Sequence, residues 1–254
     1  TVREVAAFPG FTGGVRVASA DVTGDGVPDL VAGAGPGGGP DVRVFDGATG
    51  AQVRQFFAFE PSFAGGVYVA AGDVDADGFG DIVVSPDEGG GPRVKVVSGR
   101  TGAVLADFFG IADPAFRGGA RVAVGDLNGD GRPDLVVAAG FGGGPRVAVF
   151  DGATLRPGAT PVRLFADFFA FEPALRNGTF VAAGDVTGDG RGDVVVGAGP
   201  GGSPRVVAFD GSRPPGGVPA VSFFGGSGDA REGVSVAVRD TDADAAAEVV
   251  VGQS

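Results

Sequence analysis

The sequence predicts an all-β chain built from five repeats, and three observations carry that prediction. The nonapeptide at Asp21, DVTGDGVPD, returns at Asp73 (DVDADGFGD), Asp126 (DLNGDGRPD), Asp185 (DVTGDGRGD) and Asp240 (DTDADAAAE). Successive starts lie 52, 53, 59 and 55 residues apart, a period that fits a propeller with four short strands per blade. Between the loops run short β-branched segments divided by glycine and proline turns, with no amphipathic helical pattern.

The second repeat shows the unit. Strand A is Gly66 to Ala71 (GVYVAA), the loop from Asp73 follows, and strand B is Asp81 to Ser85 (DIVVS). After Gly89-Gly90-Gly91-Pro92 come strand C, Arg93 to Val97 (RVKVV), the turn SGRTG, and strand D, Val104 to Phe109 (VLADFF). Alternation and turn chemistry make these four antiparallel strands, with A innermost. Thr1 to Phe8 (TVREVAAF) aligns with Gln52 to Phe59 (QVRQFFAF), a strand D. The expected architecture is therefore a single propeller domain over residues 1–254, its five blades closed into a ring between N- and C-terminal strands. Either the last blade lacks strand C, leaving an edge that invites pairing with another chain, or residues follow Ser254; the second is expected, with the chain part of a longer protein.

Composition excludes much chemistry. The chain has no cysteine and no histidine, which removes disulfides, thiolate ligands and the usual general base. The formal charge is −12, but the five loops hold 17 of the 31 carboxylates; five bound divalent cations would bring the total near −2. The acidity is ligand charge, and arginines without clustering give no nucleic-acid footprint. No apolar run approaches the roughly 20 residues of a membrane helix, so no membrane insertion is expected.

Each loop places oxygen side chains at positions 1, 3, 5 and 9 and a carbonyl at position 7, the pattern a hard cation such as calcium requires. The candidate ligands are Asp21, Thr23, Asp25, Val27 and Asp29; Asp73, Asp75, Asp77, Phe79 and Asp81; Asp126, Asn128, Asp130, Arg132 and Asp134; Asp185, Thr187, Asp189, Arg191 and Asp193; and Asp240, Asp242, Asp244, Ala246 and Glu248. Glycine bends position 6 in four loops, whereas Ala245 stands there in the fifth and Glu248 replaces aspartate, so the fifth site is expected to be weaker. An isolated loop of this kind has a lesser alternative reading as an acidic turn capping its own amides; recurrence in register favours the metal further. An EF-hand is excluded, because position 12 is Ala32, Val84, Val137, Val196 or Val251 instead of glutamate.

The loops, together with the glycine-proline segments Gly33 to Pro40, Gly89 to Pro92, Gly140 to Pro145 and Gly197 to Pro204, resemble the FG-GAP (VCBS-type) repeats of integrin α-subunit propellers and their bacterial relatives. The resemblance implies that each calcium loop joins strands A and B. It points to a secreted or cell-surface, non-enzymatic adhesion or recognition module with a glycan or protein ligand; a polysaccharide-active enzyme, its accessory domain, and a structural spacer are the alternatives.

Two further constellations stand out. The third residue of strand A varies, as Arg16, Tyr68, Arg121, Phe180 and Ser235; these five either ring a channel mouth as a glycan or carboxylate site, or plug the channel. Glu60, Asp113 and Glu172 each precede a proline in a connector, but one position of adjacent blades is expected to hold carboxylates too far apart for glycoside hydrolysis.

Overall fold

The computed structural model describes residues 4–213, 218–242 and 244–253, which form antiparallel sheets with one 3-10 turn, Gly152–Thr154. The first sheet is β1 (Val15–Ala20), β2 (Asp29–Ala34), β3 (Asp41–Phe45) and β4 (Gln52–Phe57), and the second is β5 (Val67–Gly72), β6 (Asp81–Pro86), β7 (Arg93–Val97) and β8 (Val104–Phe109). The third comprises β9 (Ala120–Gly125), β10 (Asp134–Ala139), β11 (Arg146–Phe150) and β12 (Phe168–Phe169). The fourth comprises β13 (Thr179–Gly184), β14 (Asp193–Ala198), β15 (Arg205–Phe209) and β16 (Val221–Phe224). The fifth holds β17 (Val234–Arg239) and β18 (Glu248–Gln253). In the second repeat the expected strands stand, with A and B ending one residue later than the sequence suggested.

The long third interval, 59 residues, arises in the third repeat, where Pro157 and Pro161 interrupt the chain after β11. Proline has no N–H to give a ladder, so a single bridge, Phe150 to Arg163, precedes the two-residue β12.

First strands pack successively, β1 on β5, β5 on β9, β9 on β13 and β13 on β17. Apolar clusters fill the spaces between consecutive sheets: Val31 and Val44 meet Val67 and Val69 between the first two, and Val206 and Ala208 meet Val234 between the last two. Close approach demands small residues on the second strands. A Cβ built on Gly33 would lie 3.0 Å from Val67 and Val69, and one on Gly197 would lie 2.2 Å from the Val234 carbonyl; Ser85 and Ala138 occupy the matching positions.

The outer strand expected over Thr1 to Phe8 is corrected. Thr1 to Arg3 lie outside the described residues, and Glu4 to Phe8 form no strand. An outer strand pairs only with a third strand, and the described part of the fifth sheet has none, so its backbone has no ladder to join. The segment nonetheless docks on the first sheet. The Ala7 carbonyl accepts from Arg43 Nη1 at 2.9 Å and the guanidinium lies 4.7 Å over Phe8. The Ala58 carbonyl accepts from Lys95 Nζ at 2.5 Å, with that ammonium 5.3 Å from Phe59. Residues 7 and 8 thus stand against the first sheet as residues 58 and 59 stand against the second. Val15 and Val17 of β1 are 43% and 62% exposed while their counterparts Val67 and Val69 are buried, and β17 does not pack on β1 as the other first strands pack on one another.

Candidate metal centre

Every repeated loop leaves the end of a first strand and enters a second strand at position 9, the placement the family resemblance implies. In the first loop the Asp21 carboxylate accepts from the amides of Gly24 (2.7 Å), Asp25 (3.1 Å) and Gly26 (2.7 Å), and Asp25 accepts from Val27 (2.8 Å). The third and fourth loops repeat this with Asp126 and Asp185, where Gly131 and Gly190 donate at 2.8 and 2.7 Å. Bending the backbone so tightly needs left-handed φ. Position 6 has it at Gly26 (84°), Gly78 (86°), Gly131 (85°) and Gly190 (85°). Position 4 also has it, at Gly24, Gly129, Gly188 and the non-glycine Ala76 (φ 59°), a second bend the sequence reading overlooked.

Position 9 does more than offer an oxygen to the loop. Asp134 Oδ2 accepts from Leu127 (2.9 Å) and Asn128 (3.2 Å), while Oδ1 accepts from Gly152 (2.9 Å) in the turn between third and fourth strands. Asp29, Asp81 and Asp193 make the same clasp to Gly47, Gly99 and Gly211 at 2.8, 3.0 and 3.1 Å. All four aspartates are buried. The turn glycine admits no side chain, since a Cβ on Gly152 would sit 2.1 Å from the Pro133 carbonyl. Sequence reasoning missed this partner, although a glycine recurs 18 residues after each position 9 aspartate.

The fifth loop diverges for a physical reason. Among the described residues no strand or turn lies beyond β18, so Glu248 has no such glycine to clasp; its carboxylate instead accepts from the Thr241 amide at 2.7 Å and from the Thr241 hydroxyl. Those bonds hold its pKa below the usual value. Ala245 is not among the left-handed residues, so this loop bends differently from the other four. Calcium is expected to bind weakest here, and elemental analysis after dialysis should retain four ions or fewer per chain. Ala245→Gly should raise affinity at this site alone; no gain would mean the bend does not limit it.

The residues fit a hard cation. Carboxylate oxygens of Asp73, Asp75 and Asp81 lie within 4.8 Å of one another, as do those of Asp240, Asp242 and Glu248. Thr23 Oγ1 is buried without a hydrogen-bond partner, which a coordinated ion would satisfy. In the second loop Asp77 is also paired with Arg100 (2.9 Å). Burial pushes the Asp81 carboxyl up to about 7 and Asp134 up to about 6, and raises Asp193. Asp75 is raised by burial first and by the Asp77 charge second.

These shifts fix a pH dependence. A folded-state pKa above the unfolded value means the folded protein binds more protons, so the stability of metal-stripped protein should fall as pH rises from about 4 to about 7. Calcium must displace those protons, so its affinity should rise over the same window. Chelated protein that gains stability between those limits would contradict the assignment.

The variable first-strand residues come together in part. Arg16 stacks over Tyr68 (4.6 Å), and Arg121 lies between Tyr68 (4.9 Å) and Phe180 (4.7 Å). Ser235 instead donates to the Gly252 carbonyl at 3.0 Å, within its own sheet. Of the connector acids, Glu60 pairs with Arg93 (3.2 Å) and Glu172 with Arg205 (3.6 Å), while Asp113 accepts from the Ala115 amide.

Repeated sheets that each carry this loop between first and second strands define a class of protein, and residues 126–196 match the FG-GAP-like repeat family. That match spans the third and fourth of the five repeated loops. Over 213 residues the chain is 27% identical to Integrin alpha-V of Gallus gallus, covering 76% of this chain and 20% of that relative, so it spans about a fifth of that protein's length. Its fold is similar to two rhamnogalacturonan lyases, YesX (TM-score 0.53, 17% identity, 78% of this chain and 39% of that one) and YesW (0.52, 16%, 78% and 41%). A protein of unknown function from Bacteroides caccae is also similar (0.51, 14%, 89% and 65%).

Proposed function

We propose that the chain is a calcium-stabilised, extracellular propeller that serves as a non-enzymatic recognition or adhesion module, its metal structural. The loop repeated in register, with its oxygen-only donors and the orphaned Thr23 hydroxyl, carries the metal part of this reading. Loops without a clamping position 12 glutamate suit the roughly 0.1–1 mM affinities of extracellular modules, and the similarity to an integrin points the same way. No described helix is long and apolar enough to cross a membrane. The blades are read as a ring, with residues 7 and 8 docked against the first sheet.

Recognition is assigned to the end opposite the metal loops. There the glycine-proline loops receive each following connector through one repeated bond, Gly37 to Ala64, Gly89 to Arg117, Gly142 to Arg176 and Gly201 to Arg231. Two matching grooves of about 270 and 260 Å³ open beside them. Phe63, Arg93, Phe109 and Arg117 line one, and Phe116, Arg146, Phe169 and Arg176 the other. Matching grooves suit a ligand with a repeating or extended form, such as a glycan or a protein segment. The arginine partners of Glu60 and Glu172 support binding over catalysis. A glycan array run beside a hydrolase and lyase screen tests the assignment: calcium-dependent binding without turnover is expected, and turnover of a polysaccharide would replace it with the enzymatic reading.

A further inference from the structure

We infer that the guanidinium of Arg121 is a receptor for a small organic carboxylate, held between the rings of Tyr68 and Phe180. Arg121 is only 6% exposed, and its Nε and Nη1 are buried with no hydrogen-bond partner. A buried, permanently charged fork of donors left unsatisfied is costly, and its planar geometry matches a carboxylate.

The repeat itself shows what is missing. Arg16 and Arg121 hold the same place in the first and third repeats, and each stacks on the aromatic residue of the following one, Arg16 on Tyr68 at 4.6 Å and Arg121 on Phe180 at 4.7 Å. In the first pair Asp87 Oδ2 clamps the guanidinium at 2.5 Å. Tyr68 is in register with Ser85, and Phe180 with Gly197, so Gly199 stands where Asp87 stands. The backbone confirms it: the Asp87 amide donates to Gly66 at 3.0 Å and the Gly199 amide to Gly178 at 3.1 Å. The carboxylate that neutralises Arg16 therefore has no counterpart beside Arg121. Nor can position 199 supply one without moving the backbone, because a Cβ there would lie 2.0 Å from the Asn177 carbonyl. A carboxylate from solution completes the pair.

Both nitrogens are closed to water, so entry requires the half-buried Tyr68 or Phe180 ring to turn. The inference deepens the recognition reading and rests on it for its biological use, yet it is read out separately. Calcium-loaded protein is titrated with acetate against chloride at matched ionic strength, following the thermal midpoint and the line width of carboxyl-labelled acetate by NMR. Acetate should raise the midpoint saturably and broaden its own resonance, and chloride should not. Arg121→Met should weaken acetate binding about tenfold or more, while Arg121→Lys should retain part of it. An equal response to chloride, no saturable response in the unaltered protein, or an unchanged response in Arg121→Met would overturn the proposal. Failure here would leave glycan binding at the opposite-end grooves untouched, and failure of the glycan array would leave this titration readable.

Discussion

Chelation of calcium is expected to lower the thermal midpoint by more than about 10 °C. A ligand bound only by the folded state stabilises it by RT ln(1 + [L]/Kd), about 1.4 kcal/mol per site at ten times Kd. Four equivalent loops then supply about 6 kcal/mol, and a domain of this size shifts by about 2–4 °C per kcal/mol. The empty loops also lose charge compensation where it matters most. Asp73, Asp75 and Asp81 crowd their oxygens within 4.8 Å, and only protons or a cation relieve that repulsion. Scanning calorimetry in excess chelator and in millimolar calcium measures the difference; equal midpoints would remove calcium from the account.

Asp134→Ala is expected to be the most damaging single substitution, and to remain damaging without calcium. It strips acceptors from three amides, those of Leu127, Asn128 and Gly152, at about 1–3 kcal/mol for each buried donor left unmade. A loss of about 3 kcal/mol or more follows, together with the separation of the repeated loop from its neighbouring turn. Asp130→Ala is the contrast. Its carboxylate accepts from Arg132 at 2.9 Å and Asn128 at 3.2 Å in an exposed setting, so chelated protein should barely notice it while the calcium-dependent part of stability shrinks. Denaturant unfolding of both variants with and without calcium separates the two roles. Equal losses in chelator would mean that position 9 is no clasp.

The five repeats, their strand order and the placement of the loops could be read from the sequence because each rests on local chemistry. Alternating valines make strands, and glycine at position 6 makes a bend. What could not be read depends on contacts between residues distant in the sequence. The clasp from Asp134 to Gly152 joins residues 18 apart, and a lone glycine in a turn carries no sign of the carboxylate it serves. Strand D over Thr1 to Phe8 rests on likeness to Gln52 to Phe59, but a strand needs a neighbour as well as a pattern, and among the described residues no strand pairs with Glu4 to Phe8. The variable ring was half legible: its membership came from one strand position, while the stacking of Arg121 between Tyr68 and Phe180, and the absence of an aspartate beside it, emerge only when the repeats are superposed in space.

Titration calorimetry of chelator-stripped protein with calcium tests the central claim most directly. The account predicts saturable binding of about four ions per chain at roughly 0.1–1 mM, with a fifth weaker still, affinity that rises between about pH 4 and 7, and the loss of one ion on Asp130→Ala. No saturable binding, or a stoichiometry that Asp130→Ala leaves unchanged, would contradict it.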